Sequence, residues 1–398
     1  MWWREPEALA RFVSSLVAAE LIRARPGETP PPRPWPPTLK IGAGGLDADS
    51  LELLTLASAL AQALHFHRSG LEDYLLARPT LGEWAAIAGE SLNRFSAEIS
   101  FTTSGSTGAP KSCVHGLTEL EEEAAALATV IGARRRVVAA VPCHHIYGFI
   151  FTLLLPRLLG ATTVEHPNQS VVGLIGGLAP GDLVIGHPEF WRAAARTTPR
   201  FPADVIGVTS TAPRDPAVLD ALKEGGLART IEVYGSSETA GVGWRDDPRA
   251  PYRLFPHWRR GAQASEIIRV APSGDARIVT LGDRLDWSGD DLLRPEGRLD
   301  GAVQVGGVNV FPTRIAEALT AHPAVAAAAV RLMRPDEGTR LKAFVVPVDP
   351  TADLDLLRKE LNEWASSALA VAERPRAFRF GARLPTGPLG KPTDWELG

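Results

Sequence analysis

Residues 101–115 read FTTSGSTGAPKSCVH, and their reading decides the fold. Seven consecutive hydroxyl or glycine residues, 102–108, precede Ala109, Pro110 and Lys111. In a helix interior each glycine would cost about 1 kcal/mol and the proline about 3, so helix interior is excluded. Thr-Ser-Gly-Ser-Thr-Gly is equally poor as a strand, because glycine brings no side chain to pack. What remains is a loop whose backbone N–H groups and hydroxyls converge on an oxygen-rich partner, with Lys111 adding positive charge. Phosphate has that chemistry. The plain alternative is a solvated Ser/Gly/Thr linker.

The flanks argue against a linker. AEIS, residues 97–100, reads as a strand, and SCVHGLTELEEEAAALATVIGA, residues 112–133, reads as an amphipathic helix. Strand, glycine loop and helix together form a phosphate-binding arrangement. An ordinary nucleotide-triphosphatase loop places glycine directly before lysine, whereas Ala109 and Pro110 intervene here.

The whole chain of 398 residues has room for two or three domains. Hydrophobic residues make up 45% and charged residues 22%, an ordinary globular balance. A formal net charge of −4 gives no sign of a nucleic-acid partner. Cys113 and Cys143 lack CxxC spacing, which argues against disulfides and structural zinc. Charges are scattered through the first 28 residues, and no long uncharged apolar run follows, so neither a signal peptide nor a membrane span is expected. The expectation is a cytoplasmic protein.

Punctuation divides the chain. A first helix over residues 4–25 runs into the proline-rich RPGETPPPRPWPPTLK, a stiff extended connection. Residues 51–68 and 71–90 read as helices. Beyond Glu98 short β-rich runs (VVAAVP, ATTVEH, DLVIGHP, DVIGVTS, TIEVYG) alternate with helices, the pattern of an α/β sheet. After Asp300 the pattern suggests a small α+β domain.

Four more stretches carry chemistry-bearing residues. VPCHHIYGF places His145 after a strand, EVYGSSETAG places Tyr234, Gly235, Ser237 and Glu238 in a tight turn, and TLGDR offers Asp283. GRLDGAVQVGGVNVFP follows at 297–312, and RLPTGPLGKPTDWEL isolates Lys391 in a Pro/Gly loop. Each alone has a plain structural explanation: a core histidine, a helix cap, a turn aspartate, a solvated lysine. In this order they resemble the acyl-adenylate-forming ligase superfamily, which includes AMP-forming acyl- and aryl-CoA ligases, luciferases and peptide-synthetase adenylation domains. The resemblance covers about residues 97–398, and the phosphate-loop motif Thr-Ser-Gly-Ser-Thr-Gly-x-Pro-Lys is matched in full at 103–111.

The resemblance implies that a carboxylate attacks the α-phosphate of ATP, and that a thiol then captures the acyl-AMP. Ser104, Ser106, Thr107 and Lys111, on a loop with Gly105 and Gly108, would hold the β- and γ-phosphates. Glu238 would hold Mg²⁺. Tyr234 and Gly235 would lie against adenine near Ala212, Asp283 would bind the ribose hydroxyls, and Arg298 would lie beside ribose and phosphate. Lys391 would reach the α-phosphate and carboxylate oxygens. Asp300 would be the hinge about which the small domain rotates. His145 would border the acyl pocket. PCHHIYG lacks the aspartate that amino-acid-activating relatives use, which favours a simple acid, and GGVNVFP leans towards an aromatic one over a short or medium fatty acid. Two departures stand out: Ser210-Thr211-Ala212-Pro213 replaces Ser-Gly-Gly-Ala-Pro, and Arg314 and Ala316 replace glutamates.

The phosphate loop begins near residue 101, early for the family's usual N-terminal subdomain. GGLDADSLELLTLASALAQAL, residues 44–64, resembles the helix start of an acyl carrier protein, in which Asp-Ser-Leu bears phosphopantetheine; Ser50 would be its attachment point. Asp-Ser-Leu is equally an ordinary helix N-cap. The fold expected is multidomain: a carrier-like helical bundle over 1–95, a compact α/β adenylate-forming core over 97–299, and a small, mobile α+β subdomain over 300–398. The acceptor thiol is phosphopantetheine on Ser50, a separate acyl carrier protein loaded by a phosphopantetheinyl transferase, or CoA. The alternatives are a free acyl-CoA ligase with a vestigial first domain, and a non-catalytic protein that docks a carrier.

Overall fold

The computed structural model describes residues 1–25, 27–104, 110–165, 170–197, 199–210, 216–271, 273–306, 308–334, 336–385 and 395. The chain divides into two compact units. The first comprises Met1–Thr103, Pro110–Thr280 and Asp286–Arg294, and the second comprises Ser104–Ala109, Leu281–Leu285 and Pro295–Gly398.

Within the first unit the predicted β-rich runs form one sheet. Thr162–Glu165, Arg136–Ala139, Leu183–Ile185, Ile206–Thr209 and Arg229–Ser236 lie side by side in that order, all parallel. Ala240–Arg245 and then Tyr252–Leu254 continue the sheet antiparallel. Leu183–Ile185 and Ile206–Thr209 are buried throughout, as central parallel strands covered on both faces must be. The polar turn between Ser236 and Ala240, at the end of the last parallel strand, is where the site begins.

Two local expectations are corrected. The segment after the glycine loop is a strand, Pro110–Gly116, with the helix Leu117–Ile131 starting only beyond it. Cys113 and His115 are buried while Ser112 and Val114 are exposed, an alternation only a strand produces. The loop therefore joins Glu98–Ser104 to a second strand and does not open a helix. The helix expected over 71–90 is split into Asp73–Ala77 and Leu81–Arg94. Pro79 lies at the break, where it lacks an N–H and disfavours helical backbone at Arg78.

The first 95 residues are helical, as Pro6–Ala24, Ser50–Ala63 and Leu81–Arg94, but they do not pack as a separate bundle. Trp2 and Phe12 are buried with their rings 5.0 and 5.9 Å from that of Phe149, and Phe101 lies 5.4 Å from the same ring. Arg11 donates to the Thr152 carbonyl at 2.9 Å, and Ser15 Oγ lies 2.8 Å from His144 Nδ1. Aromatic residues that an autonomous bundle would keep for its own core are used as a wedge into the α/β part. Asp49 caps the helix Ser50–Ala63 in a reciprocal capping box with Glu52, so Ser50 is its first residue and not its cap.

The second unit is α+β, as expected. Val325–Leu332 and Leu341–Pro347 pair antiparallel, and Ala377–Phe380 adds in parallel. The helices Pro312–Thr320 and Leu354–Ala368 close a core around Val310, Ile315, Leu341, Val345 and Leu361. Among the described residues no helix is long and apolar enough to cross a membrane, and both cysteines are free and buried.

Candidate active site

The turn after Arg229–Ser236 is built so that its charged residue faces outward. The register shifts between Tyr234 and Gly235, and a Cβ on Gly235 would lie 2.0 Å from the Ala240 carbonyl oxygen, so only glycine fits. Ser236 Oγ accepts from the amides of Glu238 and Thr239 at 3.2 Å each, and the Ser236 amide donates to Thr239 Oγ1 at 3.1 Å. These local bonds replace ladder bonds and present Glu238 at the tip.

Lys111 meets Glu238 there, Nζ to Oε1 at 3.0 Å, with side-chain exposures of 57% and 51%. The hydrogen bond and charge of Glu238 raise the lysine pKa. Partial burial works against the glutamate's charge, but the bonds from Lys111 and Ser236 outweigh it and hold its carboxyl below the usual range. Two residues beyond the buried Cys113, His115 donates from Nε2 to the Ser237 carbonyl at 2.7 Å. The carbonyl acceptor requires a proton on Nε2, and burial holds this imidazole below its ordinary pKa, favouring the neutral ring. Tyr234 lies ring to ring with Tyr252 at 5.4 Å. Behind them Glu232 is buried, accepting from Tyr252 Oη at 2.6 Å and from Arg245 at 3.0 and 3.1 Å.

His145 precedes the short helix Ile146–Phe149, with its ring 4.3 Å from that of His144. The residue is exposed, yet surrounding protein and then the positive Arg23 lower its pKa. Tyr147 Oη donates to the Gly186 carbonyl at 3.1 Å, tying this segment to the sheet.

In the second unit, Asp300 clasps Arg298 through two bonds of 2.8 and 2.6 Å and accepts from the Ala302 amide at 3.1 Å. The arginine holds the Asp300 carboxyl below its ordinary pKa. The Leu299 amide donates to the Gly282 carbonyl at 2.7 Å, bringing Arg298 beside the residue that precedes Asp283.

The structure thus groups Lys111, Tyr234, Gly235, Ser237 and Glu238 in one unit, and Asp283, Arg298 and Asp300 in the other. Gly105, Ser106, Thr107, Gly108, Ala212 and Lys391 lie outside the described residues, as does the side chain of Ser104. The sequence reading missed His115, which alternation along the strand would have flagged, and the buried Glu123. Among the described residues no three His, Cys, Asp or Glu side chains cluster as a metal cage. One half-exposed carboxylate at a turn tip instead suits Mg²⁺, which takes one or two carboxylates and fills its shell with water and substrate phosphates.

The family model for AMP-binding enzymes matches residues 97–312, and that for the AMP-binding enzyme C-terminal domain matches 314–391. The chain belongs to the AMP-binding enzyme family. This AMP-binding enzyme is an AMP-forming acid–thiol ligase. It is 39% identical over 387 residues to a 4-coumarate–CoA ligase of Halorhodospira halophila, covering 97% of this chain and 98% of that one. To a 4-coumarate–CoA ligase of Cereibacter sphaeroides it is 36% identical over 407 residues, covering 98% and 96%. Such coverage takes in most of the first 95 residues. An amide bond synthetase, McbA of Marinactinospora thermotolerans, shares the fold, with a TM-score of 0.59 and 20% identity over 97% of this chain and 93% of that one.

Proposed function

We propose that this enzyme condenses an aromatic, hydroxycinnamate-type acid such as 4-coumarate with ATP, releases pyrophosphate, and passes the acyl group of the acyl-AMP to the thiol of free CoA, with AMP as the leaving group. The observation that carries this reading is identity of 36–39% along nearly the whole length of two proteins named 4-coumarate–CoA ligase. The Lys111–Glu238 pair supports it, since a cation and a half-exposed carboxylate at one turn suit a magnesium nucleotide.

In this reading Lys111, with the hydroxyls and amides of residues 104–108, binds the β- and γ-phosphates. Glu238 holds Mg²⁺, which supplies positive charge to the phosphates when bound. Tyr234 and Gly235 form one wall for adenine with Ala212, and Asp283 accepts the ribose hydroxyls. Arg298, held by Asp300, lies beside ribose and phosphate. His145 borders the acyl pocket as a neutral ring. Lys391 neutralises the negative charge that develops as the carboxylate attacks, and Asp300 is the hinge that exchanges Lys391 for the thiol-binding surface.

Free CoA is preferred to the carrier readings because residues 1–95 pack into the ligase and are shared with CoA ligases. They are then an N-terminal part of the ligase, and neither a separate carrier nor a phosphopantetheinyl transferase takes part. The test is pyrophosphate release and CoA thioester formation with a panel of acids. Hydroxycinnamates should outpace short fatty acids in both assays, and Lys391→Ala should slow pyrophosphate release about 10²–10³-fold while sparing thioester formation from supplied acyl-AMP. Turnover confined to fatty acids would refute the substrate assignment, and equal loss in both half-reactions would refute the role of Lys391.

A further inference from the structure

The buried carboxylate of Glu123 has no part in the roles above, yet it is bonded to the backbone of the turn that bears Glu238. Glu123 sits in the helix Leu117–Ile131, and only 3% of it is exposed. Its Oε2 accepts from the Gly241 amide at 2.8 Å. A Cβ on Gly241 would lie 2.3 Å from Glu123 Oε1 and 3.0 Å from the Phe255 ring, so the approach requires glycine. On the opposite side of the same residue, Trp258 Nε1 donates to the Gly241 carbonyl at 2.8 Å. Gly241 is therefore held at both its donor and its acceptor.

Three contacts from one continuous stretch, residues 111–123, grip one turn. Lys111 holds the side chain at 238, His115 the carbonyl at 237, and Glu123 the amide at 241. Ala240, between the second and third grips, has a φ of +58°, a strained value for a non-glycine residue. Strain of that kind persists where surrounding contacts over-determine the backbone.

We propose that Glu123 is a positioning residue for nucleotide activation: by fixing Gly241 it sets the turn Ser236–Gly241, and hence the place of the Glu238 carboxylate. This rests on the reading of Glu238 as the magnesium carboxylate. Removing the acceptor leaves a buried amide unsatisfied, and the turn must shift to find another partner.

Equilibrium binding of a magnesium complex of a non-hydrolysable ATP analogue, with thermal unfolding alongside, tests the proposal. Glu123→Met should weaken binding about tenfold, whereas Glu123→Gln, whose amide oxygen still accepts from Gly241, should stay within about threefold of the parent protein. Thioester formation from supplied acyl-AMP should change less than about threefold in either variant. Unchanged binding in Glu123→Met, or equal weakening in both variants, overturns the proposal. Should Glu123→Met fail to fold, Trp258→Phe removes the other grip on Gly241 and should weaken binding several-fold; unchanged binding there overturns it too. Glu238→Gln is the reference. If it weakens binding and Glu123→Met does not, the positioning role is wrong; if the reverse holds, Glu123 sets the nucleotide turn and the metal role of Glu238 is wrong.

Discussion

Residues 1–95 and residues 300–398 are stretches of similar length at opposite ends of the chain, and each supplies helices rich in leucine and alanine. In the first, Trp2 and Phe12 are buried against Phe149, more than 130 residues away. In the second, Val310, Ile315, Leu341 and Leu361 are buried among residues of their own stretch. The difference teaches that apolar content says how much a segment buries, while the location of the partners says whether it stands alone. A self-contained core suits a domain that rotates as a body, and a wedge of aromatic rings does not.

Core truncations put this contrast under the largest strain. Trp2→Ala should cost about 3–5 kcal/mol and should destabilise the α/β core together with the N-terminal helices, seen as one shifted urea transition with loss of acyl-AMP binding. An early, separate transition that left binding intact would show an autonomous N-terminal bundle. Leu361→Ala should cost about 2–5 kcal/mol but confine faster hydrogen exchange to residues 295–385.

The two units should also answer pH in opposite senses. Burial pushes Glu123 up to about 7, against the pull of the Gly241 amide and Arg269. A carboxyl raised above its unfolded value is favoured when protonated, so stability of the first unit falls as pH rises from about 4.5 through 7. By the free energy of the shift, the loss amounts to at most about 3 kcal/mol. Glu123→Gln should flatten that slope and leave stability at pH 4 unchanged. In the second unit burial works against the charge of Glu337, but Lys342, the Arg334 amide and Arg331 outweigh it and bring its carboxyl down to about 2. Its contribution is present above about pH 4.5 and lost as pH falls towards 2. Hydrogen exchange resolved by peptide and corrected for its intrinsic pH dependence would read both slopes; parallel slopes would break the contrast.

Ser50 should show the smallest effect. Because Asp49 is the cap, Ser50→Ala should change stability by less than about 0.5 kcal/mol, whereas Asp49→Ala should cost about 1. Intact mass after treatment with a phosphopantetheinyl transferase and CoA should be unchanged in the parent protein. A mass gain that Ser50→Ala abolishes would restore the carrier reading.

How far residues were legible followed the range of their partners. Alternating β-rich runs and helices named the sheet, because period and length are local signals, and the loop motifs named the family because their residue types have few other uses together. The N-terminal region stayed ambiguous because Asp49-Ser50-Leu51 satisfies two physical demands at once, a helix start and an attachment motif. Of the three consecutive acids in the helix Leu117–Ile131, only Glu121 is exposed; Glu122 pairs with Arg269, and Glu123 is buried on Gly241. The partners of these two acids lie 118 and 147 residues away, beyond the reach of any window.

The pair formed by Lys111 and Glu238 has a consequence for how the site is filled. Both side chains are about half exposed, so their bond is worth at most about 1 kcal/mol and is weakened by salt. On the proposed roles each is the other's stand-in: the ammonium sits where Glu238 would take a metal, and the carboxylate sits where Lys111 would take a phosphate. A magnesium nucleotide would bring both replacements in one body, so the two residues would trade partners without either charge being stranded. A bare nucleotide or a bare cation offers half of that exchange and leaves one residue unmatched. On the roles proposed for Lys111 and Glu238, preference for the magnesium complex would follow from this exchange of counter-ions.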